Sequence, residues 1–252
     1  MRLKYYQKLV STSNEAKELI KNGLLEHGDV IVALQQTGGR GTRGRSFFSP
    51  SGGLYASIVL KKDTIKLLNP TAITALAGVC VCETIEKFTN KKPMIKWVND
   101  VYIQCTEHNA QCTINNEGLI DADDVLPPLD CLVLKKVCGI LTEVADDKYI
   151  LGIGINFGTK DFDNELKKIA TGLGDDIDKD EFLRCLVPKI LSSTLTQAQI
   201  FDSYRQRLIG IGRAIEIEGD TGTMQGVDDS GALLLDINGK TKTIYAGSIR
   251  FL

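Results

Sequence analysis

Apolar positions along the chain gather into short β-branched runs separated by turn residues, with one long apolar block between them. The runs VIVALQQ (30–36) and LYASIVL (54–60) are continuous enough to read as buried strands. YYQKLV (5–10) suggests a further strand, and Ser11 or Ser13 is placed to cap a helix running to about Gly23. Pro70 opens the long apolar block, which continues to Phe88 and fits a buried helix with proline in its first turn. MIKWVNDVYI (94–103) has strand composition interrupted by Asn99-Asp100, a turn pair, and so predicts a hairpin. KVCGILTEV (136–144) and YILGIGINF (149–157) predict two more strands joined at Asp146-Asp147. A helical region covers about 179–208, where Pro188 must kink the helix or divide it in two.

Two stretches break this pattern. Residues 104–134 are polar and acidic and carry Pro127-Pro128, which reads as a surface insertion. After Gly210-Ile211-Gly212 the runs become short and alternating: AIEIEG (214–219), then those around TMQGV and TKTIYAG. Turns fall at Asp229-Ser230-Gly231 and Asn238-Gly239. This predicts a small all-β module over 211–252, too small to bury much alone and expected to dock on a main domain covering 1–210.

Composition narrows the class. With 43% hydrophobic and 25% charged residues among 252, the chain reads as an ordinary soluble globular protein. A net charge of −2 supplies no global field favouring nucleic acid or an anionic membrane. No apolar run approaches the roughly 20 residues that span a bilayer. The N-terminal stretch lacks a signal peptide's apolar centre and is too acidic for a transit peptide, so a cytoplasmic setting is expected. The seven cysteines are odd in number and dispersed, which fits reduced thiols. Cys105, His108, Cys112 and Cys131 come nearest to metal-ligand spacing, but without a CxxC pair no zinc site is assigned.

The chemistry concentrates in four segments. QTGGRGTRGRSF (36–47) combines four glycines, which let amides converge on an anion, with Arg40, Arg43 and Arg45. A solvated basic loop is the plain alternative, but a position between two strongly apolar strands favours an anion site. It is not a P-loop, since no Gly-Lys-Ser/Thr follows. KWVND (96–100) sets Lys96, Asn99 and Asp100 at a hairpin turn. KKVCGILTEV opens a strand with lysine and carries Gly139, and GIGINF (152–157) spaces glycines before Asn156. Singly, each of the last three fits a structural role.

In this order the segments resemble the biotin–protein ligases, also called biotin–acetyl-CoA-carboxylase ligases or holocarboxylase synthetases. That family shows a Ser-Thr-Asn/Thr triplet, Q-T-x-G-R-G-R-x-x-R-x-W, K-W-P-N-D, K-x-x-G-[IV]-L-x-E and G-x-G-x-N. The corresponding stretches here are Ser11-Thr12-Ser13, Gln36 to Phe47, Lys96 to Asp100, Lys136 to Glu143 and Gly152 to Asn156. The resemblance spans nearly the whole chain outside 104–134. It implies an α+β fold, a mixed central sheet flanked by helices of the class II synthetase type, followed by a small SH3-like domain. It further implies ATP, biotin and Mg²⁺ as reactants and cofactor, a biotin carboxyl carrier domain as partner, and a biotinyl-adenylate intermediate.

By resemblance, Ser11, Thr12, Ser13, Gln36, Gly39, Arg40, Gly41, Lys136, Gly139 and Gly154 bind biotin. Arg40, Arg43, Arg45, Phe47, Asn99, Lys136 and Asn156 bind ATP or the adenylate, and Arg40, Lys136 and Asp100 act in catalysis. No metal ligand is assigned. Four departures stand out: Val98 for proline, Phe47 for tryptophan, Ser13 for Asn or Thr, and Thr42 where relatives carry a basic residue. No winged-helix domain precedes residue 1, so repressor activity is not expected. A lipoate- or octanoate-transferring relative and a non-catalytic binding module are the alternatives. The GRGTRGR loop and the C-terminal module favour biotin.

Overall fold

The computed structural model describes residues 1–64, 69–105 and 133–252. Most of the expected insertion, including His108, Cys112 and Cys131, lies outside the described residues. A seven-stranded sheet runs in the order β1-β2-β3-β7-β6-β5-β4. Its strands are β1 (Leu3–Tyr6), β2 (Val30–Ala33), β3 (Gly53–Lys61), β4 (Pro93–Lys96), β5 (Asp100–Cys105), β6 (Val133–Ala145) and β7 (Lys148–Asn156). Among the described residues, β1–β2 is the one parallel strand pair of this sheet.

Both faces of this sheet are covered, and strand alternation decides what goes where. Ile31, Val59 and Ile150 face α1 (Thr12–Lys21), meeting Ala16 and Ile20 in a small apolar cluster. Their neighbours Val30, Val32, Ile58, Leu60 and Leu151 turn the other way, toward α2 (Pro70–Phe88). Buried on nearly all sides, α2 shows little amphipathic character, which is why its sequence reads as an unbroken apolar block. Its start is fixed by Pro70 and by the Asn69 side chain, which accepts from the Ala72 amide at 2.7 Å.

Several boundaries differ from those expected. β1 ends at Tyr6, because its parallel register with β2 stops at Tyr6–Ala33; the chain touches that line again only at Leu9–Gln36. A short helix unmarked by apolar periodicity, α3 (Asn164–Ile169), starts where Asp163 accepts from the Leu166 amide. The region after 179 is two helices, α4 (Lys179–Leu191) and α5 (Gln197–Arg205), but Pro188 does not divide them. Proline sits in the last turn of α4, and the break is set by Ser192 and by a Thr196–Gln199 capping box.

Strands β8 (Ala214–Ile217), β9 (Asp220–Val227), β10 (Leu233–Ile237), β11 (Lys240–Ile244) and β12 (Arg250–Phe251) form a separate antiparallel sheet, ordered β11-β10-β9-β8-β12. It is docked as expected. Ile215, Met224 and Leu233 belong to the same apolar cluster as Trp97 and Phe201 of the main body. The Trp97 indole N–H donates to the Gly231 carbonyl at 2.9 Å, and Arg205 Nε donates to the Val227 carbonyl at 2.9 Å. Among the described residues, no helix is long and apolar enough to cross a membrane.

Trp97→Phe keeps most of the buried ring but strands the Gly231 carbonyl. It is expected to cost about 1–3 kcal/mol, read as a fall of roughly 2–4 °C in melting temperature per kcal/mol. An unchanged melting curve would show that this bond does not fasten the two sheets.

Candidate active site

The sheet is pleated, so a cleft on its α1 face can exist only where side chains on that face are missing. They are missing in the middle. Across β3, β7 and β6 the register aligns Tyr55, Gly154 and Gly139, and the next row aligns Ser57, Gly152 and Leu141. The glycines leave a trough of about 130 Å³, lined along its length by Thr12, Gln36, Arg40, Phe47, Asp100 and Lys136.

The closed end is neutral and wired. Thr12 Oγ1 accepts from Ser57 Oγ at 2.8 Å and donates to Gln36 Oε1 at 3.2 Å, while the Thr12 amide donates to that same oxygen at 2.8 Å. Gln36 Nε2 donates onward to Ser49 Oγ at 3.0 Å, and Ser13 Oγ lies 3.3 Å from Ser57 Oγ. Ser11 occupies the N-cap position of α1 without capping it, since Gln36 takes that role for Thr12. Its buried hydroxyl remains on the cleft wall.

The other end is cationic. The bulge in β6 explains how Lys136 reaches it. Val101 pairs with Cys138 and Tyr102 with Lys136, so Val137 is the extra residue, and Lys136 turns to the same face as Gly139. Its ammonium lies 2.7 Å from Asp100 Oδ1, an ionic contact off the angle of a hydrogen bond, which leaves that buried oxygen without one. Beside it stands Lys96, between the rings of Tyr102 and Phe251 at 5.9 and 5.4 Å. Burial lowers the Lys96 pKa from the ordinary lysine value; Asp100 opposes this, and the charges of Lys136 and Arg45 add to the lowering. Burial, reinforced by Asp100, pushes the Tyr102 phenol up to about 12.

The Gly/Arg segment is a miniature hairpin. The Phe47 amide donates to the Gly39 carbonyl at 2.9 Å, Arg40 bridges Ser46, and the Gly41 amide donates to the Arg45 carbonyl at 2.7 Å around a tight turn at Thr42–Gly44. These amides are thereby used internally. Beside them, the cationic side chains of Arg40, Arg45 and Lys136 all line the cleft. Phe47, at the hairpin's end, lays its ring on the glycine floor. A Cβ at Gly139 or Gly154 would come within 2.8 or 2.7 Å of it, and the Lys136 ammonium stands 5.4 Å from its centre.

A family model for the biotin/lipoate A/B protein ligases matches residues 5–159. The chain belongs to that family. A second model, the biotin protein ligase C-terminal domain, matches residues 210–252. The bifunctional ligase/repressor BirA of Bacillus subtilis (strain 168) is 32% identical over 269 residues, covering 97% of this chain and 72% of that protein. The biotin--[acetyl-CoA-carboxylase] ligase of Mycobacterium tuberculosis is 25% identical over 239 residues, covering 88% and 78% respectively. A biotin protein ligase from Aquifex aeolicus, solved with biotin and ATP, superposes with a TM-score of 0.78 at 27% identity, over 100% of this chain and 98% of that one. The Helicobacter pylori biotin acetyl coenzyme A carboxylase synthetase, at 19% identity, TM-score 0.66 and coverage of 96% and 99%, shares the fold.

Of the ligase-type residues expected from sequence, the fold brings Ser11, Thr12, Ser13, Gln36, Arg40, Gly41, Arg45, Phe47, Asn99, Asp100, Lys136, Gly139 and Gly154 to one cleft. Three lie elsewhere. Gly39 is packed behind the wall against Phe47 and Ser49. Arg43 turns outward to pair with Glu218 of the C-terminal sheet. Asn156 is buried beyond the trough, its Oδ1 unpartnered. Tyr55 and Gly152 join the lining without having been assigned to the site; the glycine spacing of GIGINF was the sequence signal for Gly152, and nothing in LYASIVL marks Tyr55. Thr42 lines the cleft too, and its hydroxyl accepts from Arg45 Nη2 at 3.1 Å. Among the described residues no cluster of three ligating side chains could hold a metal ion. Cys80 and Cys82 are pushed up to about 12 by burial, so these thiols stay protonated and unreactive.

In Gly154→Ala the new methyl meets only the end of the Phe47 side chain, which can swing away. The variant should lose less than about 1.5 kcal/mol of unfolding free energy in a denaturant titration. Gly172→Ala is the contrast, because its methyl would meet the Phe157 carbonyl oxygen at 2.0 Å and only backbone could yield. A loss there of about 4 kcal/mol or more is expected. Equal losses at both sites would show the Phe47 ring to be fixed core.

Proposed function

We propose that this chain is an ATP-dependent biotin–protein ligase that forms biotinyl-5′-AMP and passes the acyl group to a lysine of a biotin carboxyl carrier domain. One observation carries the reading: a single glycine-floored cleft has uncharged hydroxyls and an amide at one end and cations at the other. Biotin has the matching polarity, with a neutral ureido ring at one end and a carboxylate at the other. A lipoyl or octanoyl chain lacks ureido donors and acceptors and would leave the polar end unsatisfied, which costs affinity.

In the first half-reaction the biotin carboxylate attacks the α-phosphorus of ATP, and the bond to the β-phosphate bridging oxygen breaks to release pyrophosphate. The carboxylate is ionised at neutral pH, so the step needs no general base. The obstacle is repulsion between two anions, and Arg40, Arg45 and Lys136 are the groups at hand to relieve it. Lys136 is held for this by Asp100 on the neighbouring strand. For the ligand to lie on the glycines, the Phe47 ring has to swing off the floor, which frees it to flank the adenine. Mg²⁺, bound to the nucleotide's phosphates, would shield their charge during this step.

In the second half-reaction a neutral lysine amine attacks the acyl carbon and AMP leaves. The acceptor's pKa is near 10.4 in water, so its ammonium must shed a proton. Asp100, at the start of β5 on the cleft wall, orients that ammonium and eases the loss.

Incubation with ATP, Mg²⁺, biotin and a carrier domain should add one biotinyl group to the acceptor by mass spectrometry. Under the same conditions Lys136→Ala should lower biotin-dependent ATP–pyrophosphate exchange by about 10²–10³ while the protein stays folded. Acceptance of lipoate in place of biotin would overturn the substrate assignment, and near-normal exchange by the variant would remove Lys136 from the mechanism.

Thr42 gives the adenylate a neutral neighbour where relatives carry a charge, and Arg43 is engaged by Glu218 instead of facing the cleft. Thr42→Arg should therefore slow the decay of preformed biotinyl-adenylate in the absence of acceptor. An unchanged half-life would show that Arg45 already seals that side.

A further inference from the structure

We infer that Glu143, braced by Lys17, is the positioning residue that fixes the Arg40 guanidinium over the cleft; this rests on the reading of Arg40 as a ligand of the reacting anions. Glu143 closes the KxxGILTE segment on β6 and lies on the same face as Gly139 and Leu141. Its Oε1 takes Arg40 Nη2 at 2.6 Å and Lys17 Nζ at 2.7 Å. Its Oε2 is buried without a partner. A surface ion pair made for solubility has no reason to sink one carboxylate oxygen, whose burial carries a desolvation cost. The cost is understandable where the carboxylate has to stand in one place.

The connections define that place. Lys17 projects from α1, one turn beyond Ser13, and so ties Glu143 to the helix that carries the neutral end of the cleft. Arg40 belongs to the hairpin over the floor, and its side chain is 42% exposed, so little else restrains it. Glu143 shares β6 with Lys136, and the strand sets the spacing between the carboxylate and that lysine. Two cations on different elements are thus referred to one strand. The contact with Glu143 uses one guanidinium nitrogen, and the rest of the five-donor fork is left for an anion in the cleft. Two cations on one carboxylate leave a net positive charge, so the clamp orients Arg40 without neutralising the site.

The test is a double-mutant cycle on the full chain, with biotin-dependent ATP–pyrophosphate exchange and the unfolding midpoint both measured. Arg40→Gln should lower kcat/KM by about 10²-fold, as loss of one oriented donor does. Glu143→Gln should lower it about tenfold, a coupling in the range of contacting residues, and Glu143→Asp should restore part of the loss. The double variant should match Arg40→Gln alone, because Glu143 acts only through Arg40. Lys17→Met, at a surface position, should lose about threefold in the same direction, and it keeps the idea testable if the Glu143 variants fold poorly. A double variant a further tenfold below Arg40→Gln would overturn the inference, as would unchanged exchange in Glu143→Gln beside an impaired Arg40→Gln. Wild-type exchange in Arg40→Gln would instead overturn the assignment of Arg40 itself.

Discussion

Gly139 and Gly154 face each other across the middle of a closely packed sheet, and the absence of their side chains makes room for everything else at the site. Interiors pack to nearly crystalline density, so a trough on a sheet face between two covering elements has to be built in deliberately. Here it comes from three glycines on two adjacent strands, bounded by Tyr55 and Phe47 at one side and by the first turn of α1 at the other. Glycine weakens a strand interior. The loss is borne by the flanking rows, where Ile140, Ile153 and Ile155 on the opposite face are fully engaged with the core.

Onto this floor the chain mounts charges whose partners fix their positions. Lys136 is brought to the cleft by the bulge at Val137 and held by Asp100, and Arg40 is held by Glu143. The C-terminal sheet reaches the same region from outside: Glu218 takes Arg43, Ser248 lies 3.4 Å from Arg45 Nη1, and the Phe251 ring backs Lys96. Exposed pairs such as Arg43–Glu218 contribute little to stability. Their effect is on where the hairpin's arginines point. The apolar seam through Trp97, Phe201 and Met224 does the holding. This division explains how the C-terminal module can shape a site it does not line.

The strands, the buried helix and the C-terminal module were legible because each has a local signature: β-branched runs, an apolar block opened by proline, alternation with Asn-Gly and Asp-Ser-Gly turns. The motif residues were legible as a set through their resemblance to known ligases. What local pattern could not carry was register. Nothing in KKVCGIL announces that Val137 is an extra residue, yet that one-residue slip decides which face Lys136 occupies. Arg43 and Arg45 are alike in the sequence, two positions apart on one loop. The left-handed backbone at Arg43, φ 61°, sends the first to Glu218 while the second stays in the cleft. Pro188 misled for a related reason: a proline in the last turn interrupts little that the helix still needs, and the Thr196–Gln199 box was the better signal of where the next helix starts.

The position of Phe47 joins these strands of argument. Its ring covers the two glycines, touches Tyr55 edge-on at 6.4 Å and stands beneath the Lys136 ammonium. A cation over an aromatic face is attracted to it, by about 0.5–1 kcal/mol where water still reaches. Phe47 is thus the side chain that an acyl chain would displace on the proposed reading, and the Lys136 ammonium rests on its π-face. Both substitutes are weak. An acyl chain on the glycines recovers the apolar contact that the ring gives up, and a carboxylate or phosphate offers Lys136 a full charge in place of a quadrupole. On the proposed reading, the ring that an acyl chain would replace sits at the base of the hairpin that carries Arg40, so the glycine floor and the arginine are joined through Phe47.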